Sequence, residues 1–377
     1  MKIAVTTLAC CVASLLALGM VMLYSSTMTQ VGAHYLVMQL VWCALGLGVC
    51  AMAASADCRL MRKLVWPSFG VAVLLLVLVL VPLPHEITRP VNGARRWFNF
   101  QGVRFQPSEF AKLALILALA GYGERFQRQM HTLTKGVLWP GLITALVLVP
   151  LFIEPDRGTT ILLAAVSGTM LLLAGVRWRY IMPPVVAAVA GLAWSLWHDP
   201  MRRERILAFL YPEKYKDGAG YQTWQAMLAF GSGGWFGEGL GDSRQKLGFI
   251  PEQYTDFILP VIGEELGVVA TLAVVLVFVV IFFCGMYIAY RARDPFSHLL
   301  AAGISLLIAL QACINIGVVT SSLPNKGIAL PFISYGGSNL LAMLTCIGVL
   351  LGVARQAGAP EGVARRPLEP SELSQSA

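Results

Sequence analysis

The stretch PEQYTDFILPVIGEELG, residues 251–267, carries a polar loop directly into an apolar segment that runs on to residue 289. About 20 consecutive apolar residues are enough to cross the hydrocarbon core of a bilayer as a helix. The segment therefore reads as a membrane span with Asp256 at its mouth. A carboxylate at a membrane boundary is expensive to insert, which marks it as a candidate for function. Working outward, further apolar segments fall near residues 3–24, 35–54, 64–83, 109–122, 137–153, 158–175, 180–197, 298–322 and 332–355, the fourth of them short. Residues 3–24 have the length of a span, only Lys2 before them and no small-residue cleavage site, so they read as a helix and not a secretion signal.

Composition agrees with this reading. The 377 residues are 57% hydrophobic and 13% charged, and the mean hydropathy is +0.70, far from the balance of a soluble domain. The expectation is an all-α polytopic membrane protein of about ten transmembrane helices. Residues 1–355 would form one transmembrane domain, with a large extracytoplasmic loop at 198–256 between helices 7 and 8. Residues 356–377 read as a disordered cytoplasmic tail.

Lysines and arginines set the orientation. With the N-terminus in the cytoplasm, Arg59, Arg62, Lys63, Arg125, Arg128, Lys135, Arg177, Arg179, Arg291, Arg293, Arg355, Arg365 and Arg366 all fall inside. An even number of spans returns the C-terminus to the same side. The net charge of +8 is explained on the inner face by topology and attraction to anionic lipid. Two outer loops break the rule: one carries Arg89, Arg95, Arg96 and Arg104, and the other, 198–256, mixes both signs. The cysteines lie in spans or, for Cys58, at an inner loop, away from an oxidising compartment. No histidines pair at metal-ligand spacing, which argues against zinc. Nothing indicates a nucleic-acid partner.

In the first outer loop, VNGARRWFNFQGVRF alternates basic and aromatic residues, which suits a loop or a re-entrant amphipathic piece lying in the interface. Arg95 and Arg96 suit a phosphate-bearing headgroup, or they only anchor the loop. PSEFAK is a good helix start, and Glu109 and Lys112 share one face. That pair could bind substrate or fix helix packing. In IEPDRGTT, residues 153–160, Asp156 reads as a helix cap. MRRERILAFLYPEKY reads as a short amphipathic helix, and the glycine-rich GSGGWFGEGLG as a loop whose backbone approaches a headgroup or sugar. Arg244 and Lys246 lead on toward Asp256; together they could hold a diphosphate while a carboxylate accepts a proton. Glu264 and Glu265 should lie deeper. In PNKGIALPFISYGGSN, Lys326 is placed outside; Ser334, Ser338 and Asn339 could bind ligand or join helices, packing being favoured for Ser338.

Four motifs, GARRWFNFQGVRFQPSEFAK, GSGGWFGEGLGDSRQK, PEQYTDFILPVIGEELG and LPFISYGGS, together resemble the SEDS family, the shape, elongation, division and sporulation proteins. The resemblance runs along nearly the whole chain, and SRQK with NKGIALPFISYGGS looks more like the division branch than the elongation branch. It implies a peptidoglycan glycosyltransferase that polymerises lipid II into β-1,4 glycan strands outside the bacterial cytoplasmic membrane, at the division septum, and releases undecaprenyl diphosphate. Partners so implied are lipid II and the growing strand, a class B penicillin-binding protein and other divisome proteins. The resemblance makes Asp256 the catalytic residue and places Glu109 and Lys112 on the Glu and Lys of the family's PSE..K motif. Departures are Tyr254 where the family commonly has His, Ser321 where it usually has Gly, and Asn339 for the last serine of SYGGSS; these bear on fine tuning.

The implied chemistry is one inverting displacement. Asp256 would take the proton of the acceptor 4-hydroxyl during attack on the donor's anomeric carbon, since a free carboxylate is too weak a base to do so beforehand. Arg95, Arg96, Arg244 and Lys246 are candidates to neutralise the leaving diphosphate, with Lys112 if the cavity is wet. A divalent cation such as magnesium could share that task, but no residue cluster demands one. Competing readings are a lipid II flippase, an elongation-type polymerase and a noncatalytic division scaffold. A flippase should show repeated halves and paired half-helices, whereas the sequence has no internal repeat and its motifs concentrate on one face.

Overall fold

The computed structural model of the chain describes residues 1–28, 32–81, 88, 95–100, 103–243 and 253–358. Arg89, Arg244, Lys246 and the tail beyond Gly358 lie outside the described residues. Helices α1 (Lys2–Thr27), α2 (His34–Ser55) and α3 (Cys58–Leu80) lead to a hairpin of β1 (Phe98–Phe100) and β2 (Val103–Phe105). Then come α4 (Pro107–Arg125), α5 (Trp139–Ile153), α6 (Arg157–Leu173), α7 (Trp178–His198), α8 (Pro200–Leu210) and α9 (Tyr221–Gly233). The chain closes with α10 (Ile258–Tyr290), α11 (Pro295–Val319) and α12 (Gly337–Gly358).

Each expected apolar segment coincides with a helix, and α8 and α9 are additional short helices of the large loop. Among the described residues, 7 helices are long and apolar enough to cross a membrane, or up to 8 if the bent α7–α8 pair is one span. Helix α4 carries Glu109 and Lys112, and α6 has only 17 residues. Helix starts follow the local chemistry. Pro107 occupies the first turn of α4, where its missing N–H costs nothing. Asp156, Asp199 and Asp294 cap α6, α8 and α11 by accepting from Thr159, Arg202 and Ser297 backbone N–H groups.

Helix α4 is buried almost all round, packed by α3, α5, α6, α11 and α12. Large apolar side chains such as Val186, Trp194, Leu272 and Phe283 point outward instead, as expected where lipid replaces water. Met1 packs beside Gly358, so both ends of the described chain share one end of the bundle. There Arg62 bridges Glu124 and Asp294, tying α3 to α4 and α11. The opposite end carries Asp256, the hairpin, α8, α9 and the 320–336 connection.

The first outer loop, read as a loop or a re-entrant amphipathic piece, contains a short hairpin. Phe98 pairs with Phe105, Asn99 with Arg104 and Phe100 with Val103 in an antiparallel hairpin. Ser338 Oγ accepts from Gln106 N at 3.1 Å and donates to Arg104 O at 3.2 Å, which fastens the hairpin and the start of α4 to α12. Ser338 is thus a packing residue.

The glycine-rich loop differs from its expected role: it approaches the protein's own backbone. Helix α10 breaks at Gly267 (φ 80, ψ 179), a conformation open only to glycine. A break orphans backbone groups on both sides, and the loop satisfies them. Glu238 and Gly239 donate to the carbonyls of Glu264 and Glu265 at 2.9 and 3.1 Å, while Val268 and Val269 donate to Gly234 and Trp235 at 3.0 and 3.3 Å. A Cβ at Gly233, Gly237 or Gly267 would collide with backbone across this seam. Gly267→Ala is expected to cost about 2–3 kcal/mol, whereas Gly168→Ala, in open space on α6, should be neutral or slightly stabilising. Thermal unfolding in detergent checks this, and equal midpoints would refute the strained position.

Candidate active site

Asp256 lies in the turn before α10, half-buried, at the outer end of the bundle. Contacts from two neighbouring residues help to fix it. Thr255 Oγ1 donates to its Oδ1 at 3.0 Å. Asn315 of α11 donates to the Asp256 carbonyl at 2.8 Å and to the Ile328 carbonyl at 2.7 Å, so one amide clamps the 326–328 segment to the aspartate's backbone. Oδ2 faces Gly327, where a Cβ would come within 3.2 Å. A side chain at residue 327 would therefore crowd this carboxylate. Behind it, Tyr254 stacks on Tyr35 of α2 with ring centroids 4.8 Å apart, and Tyr335 meets Tyr35 edge-on at 4.9 Å. The residue standing in the family's histidine position thus serves as an aromatic brace.

Lys326 precedes Gly327 and is half-buried. Burial pushes its ammonium below the ordinary lysine range, as do Arg205, Arg202 and Arg157, while Asp156 acts in the opposite sense. These arginines come from α6 and α8. Sequence reasoning did not select them, although Arg157 stands in the quoted turn IEPDRGTT, a charge at the head of an apolar helix.

Other expected site residues are engaged by protein. Arg96 donates to the carbonyls of Glu154 and Pro155 at 3.2 and 2.9 Å, holding the α5–α6 turn. Arg95 is half-buried beside it in sequence. Lys112 Nζ lies 2.8 Å from Glu109 and donates to Gln311 at 2.9 Å, and Gln311 in turn donates to Asn339 at 3.1 Å. This buried network joins α4, α11 and α12 and fits the packing alternative. Ser334, a candidate for either ligand contact or helix packing, is buried, and its Oγ accepts from Leu330 N at 2.9 Å, closing a turn. Glu265 accepts from Ser25 at 2.7 Å, and Glu264 from Ser243, so this deeper pair meets hydroxyl groups. Ser321, the departure from the family's glycine, has φ 56, a left-handed conformation that glycine adopts without strain. Among the described residues, no group of three or more His, Cys, Asp or Glu side chains gathers to hold a metal ion.

The α5–α6 turn contains an acid that sequence reasoning passed over. Burial, then the neighbouring Asp156, pushes Glu154 up to about 8, with Arg96 acting the other way. The folded state therefore keeps a proton that the unfolded chain loses near its ordinary value of 4.5. The stability this group confers is complete below 4.5 and is lost as pH rises through about 8. Glu154→Gln is expected to flatten that decline, matching the native chain near pH 5 and unfolding at a higher temperature above pH 8. Parallel midpoint-against-pH curves for the two proteins would contradict this.

Residues 6–358 match the family model FTSW_RODA_SPOVE, described as cell cycle protein. A protein of Trichlorobacter lovleyi named probable peptidoglycan glycosyltransferase FtsW is 40% identical over 350 residues, covering 91% of each chain. A Coxiella burnetii protein of the same name is 39% identical, covering 91% of this chain and 94% of its own. Among solved structures, a chain from work titled as structural coordination of polymerization and crosslinking by a peptidoglycan synthase complex aligns with TM-score 0.76 and 28% identity, over 94% of this chain and 98% of that one. The Thermus thermophilus rod shape determining protein RodA aligns with TM-score 0.68 and 27% identity, over 94% of this chain and 97% of its own. With its helical architecture, its motifs and a family match over residues 6–358, this chain belongs to the FtsW/RodA/SpoVE family of integral membrane proteins.

Proposed function

We propose that the protein is a peptidoglycan glycosyltransferase that polymerises lipid II into β-1,4 glycan strands at the outer face of the cytoplasmic membrane during cell division. The observation that carries this reading is Asp256, a half-buried carboxylate at the bundle's outer end, fixed by Thr255 and Asn315 and close to Gly327. The names of the curated relatives support it. Asp256 is the general base: as the acceptor 4-hydroxyl attacks the donor's anomeric carbon, Oδ2 receives its proton. The bond from that carbon to the diphosphate breaks, and undecaprenyl diphosphate leaves with the electron pair. One carboxylate suffices because the displacement inverts an α-linked donor into a β-linked product.

The protein resides in the bacterial inner membrane at the septum, with ten spans in one domain and both termini cytoplasmic; the proximity of Met1 to Gly358 supports termini on one side. Its partner is a class B penicillin-binding protein within the divisome, a reading supported by the likeness to a chain from a complex that couples polymerization to crosslinking. Purified protein supplied with lipid II, alone and with that transpeptidase, is expected to yield glycan strands on a gel. Absence of strands under both conditions would turn the reading toward transport or scaffolding.

A further inference from the structure

Arg157, the first residue of α6, is only 8% exposed. Its guanidinium lies 3.0 Å from the centre of the Phe152 ring, and Nη2 reaches Ser195 Oγ at 3.4 Å. Its Nε and Nη1 have no hydrogen-bond partner among the described residues. Arg202 Nη1 comes to the same Ser195 oxygen at 3.4 Å, so two guanidinium groups converge on one neutral hydroxyl. Such convergence opposes folding: like charges repel, and buried donors left unpaired forfeit their hydration. Asp199 pairs with Arg202 at 3.0 Å, and Asp156 is the carboxylate acting on Lys326. Arg157, Arg202, Arg205 and Lys326 thus face Asp156 and Asp199, a surplus of positive charge with open donors at its centre.

A guanidinium fork matches paired oxygens of a carboxylate or phosphate. Here the surplus fits a dianion, and the cluster lies on the outer face beside the segment whose Gly327 confronts Asp256. Anomeric bond cleavage sends its electron pair to the diphosphate and raises the negative charge there, which fixed cations stabilise without reorganising. We propose that Arg157 and Arg202, with Lys326 beside them, form a clamp for the diphosphate of a polyprenyl-linked donor or product. The assignment rests on the polymerase reading and names the group that holds its leaving diphosphate.

The test is calorimetric titration of the full-length protein in detergent with farnesyl diphosphate, and separately with phosphatidylglycerol. Arg157→Met and Arg202→Gln are each expected to weaken farnesyl diphosphate binding at least tenfold, with Arg157→Lys between them and the native protein. Phosphatidylglycerol binding should be unchanged. Without ligand, the Tm of Arg157→Met should equal or exceed the native value, because an unpaired buried charge has been removed; an arginine serving only the fold would lower it. Native-like diphosphate binding by both variants, or no binding by the native protein, overturns the clamp. Equal weakening for phosphatidylglycerol also overturns it, in favour of a general lipid-phosphate site. Loss of binding in Arg157→Met alone, with a lowered Tm and Arg202→Gln unaffected, assigns the arginine to packing. Glycan synthesis by the native protein is scored in parallel: strands with arginine-independent binding leave the polymerase and remove the clamp, and arginine-dependent binding without strands does the reverse.

Discussion

Asp256→Asn and Asp256→Ala are expected to abolish strand formation from lipid II, a loss of about 10²–10⁴-fold if only proton transfer is removed. Asparagine keeps the shape and can still accept from Thr255, so its failure would isolate the missing basicity. Asp256→Glu should also be impaired, since an added methylene pushes the carboxylate toward Gly327, where a single extra carbon already comes within 3.2 Å of Oδ2. The measurement is glycan length and yield on a gel, with the thermal midpoint of each variant as a folding control. Strands made by Asp256→Asn at the native rate would remove this carboxylate from the chemistry.

The second large effect concerns stability. Glu109 and Lys112 are buried and 2.8 Å apart, so removing one partner leaves an uncompensated charge within the bundle. Lys112→Met or Glu109→Gln alone is expected to destabilise by about 3–5 kcal/mol, whereas the double variant should recover most of that loss. Additive losses would show that the two side chains act separately. The same proteins distinguish the two roles open to the pair: a stable double variant that still makes strands identifies helix glue, and a stable but inactive one identifies a substrate contact.

Much of the fold was legible because a bilayer imposes one rule on every span, and apolar runs of sufficient length declare themselves. The turn at Asp156 and the start at Pro107 were readable for a similar reason, since capping is local chemistry. The hairpin was not. Three-residue strands are too short to show a period, and the alternation in WFNFQGVRF looks the same in an interfacial piece. The glycine loop was misread because its partner lies some 30 residues away, on the far side of the segment that carries Asp256. For the site, Asp256 stood out as an acid at a boundary, but Arg157 and Arg202 acquire meaning only when α6 and α8 are brought to Ser195. Ser334 resembled a ligand contact because a hydroxyl in a glycine-rich turn suits either role; the turn it closes by accepting from Leu330 N is visible only in three dimensions.

The break at Gly267 changes what amide exchange would report along the longest helix. In a continuous helix, the N–H groups of Val268 and Val269 would be protected by carbonyls one turn earlier in the same segment. Here their acceptors are Gly234 and Trp235, so deuterium uptake at these two amides measures attachment of the outer loop, not melting of α10. Local openings have their own free energies, and this pair of amides would separate loop release from loss of the span itself.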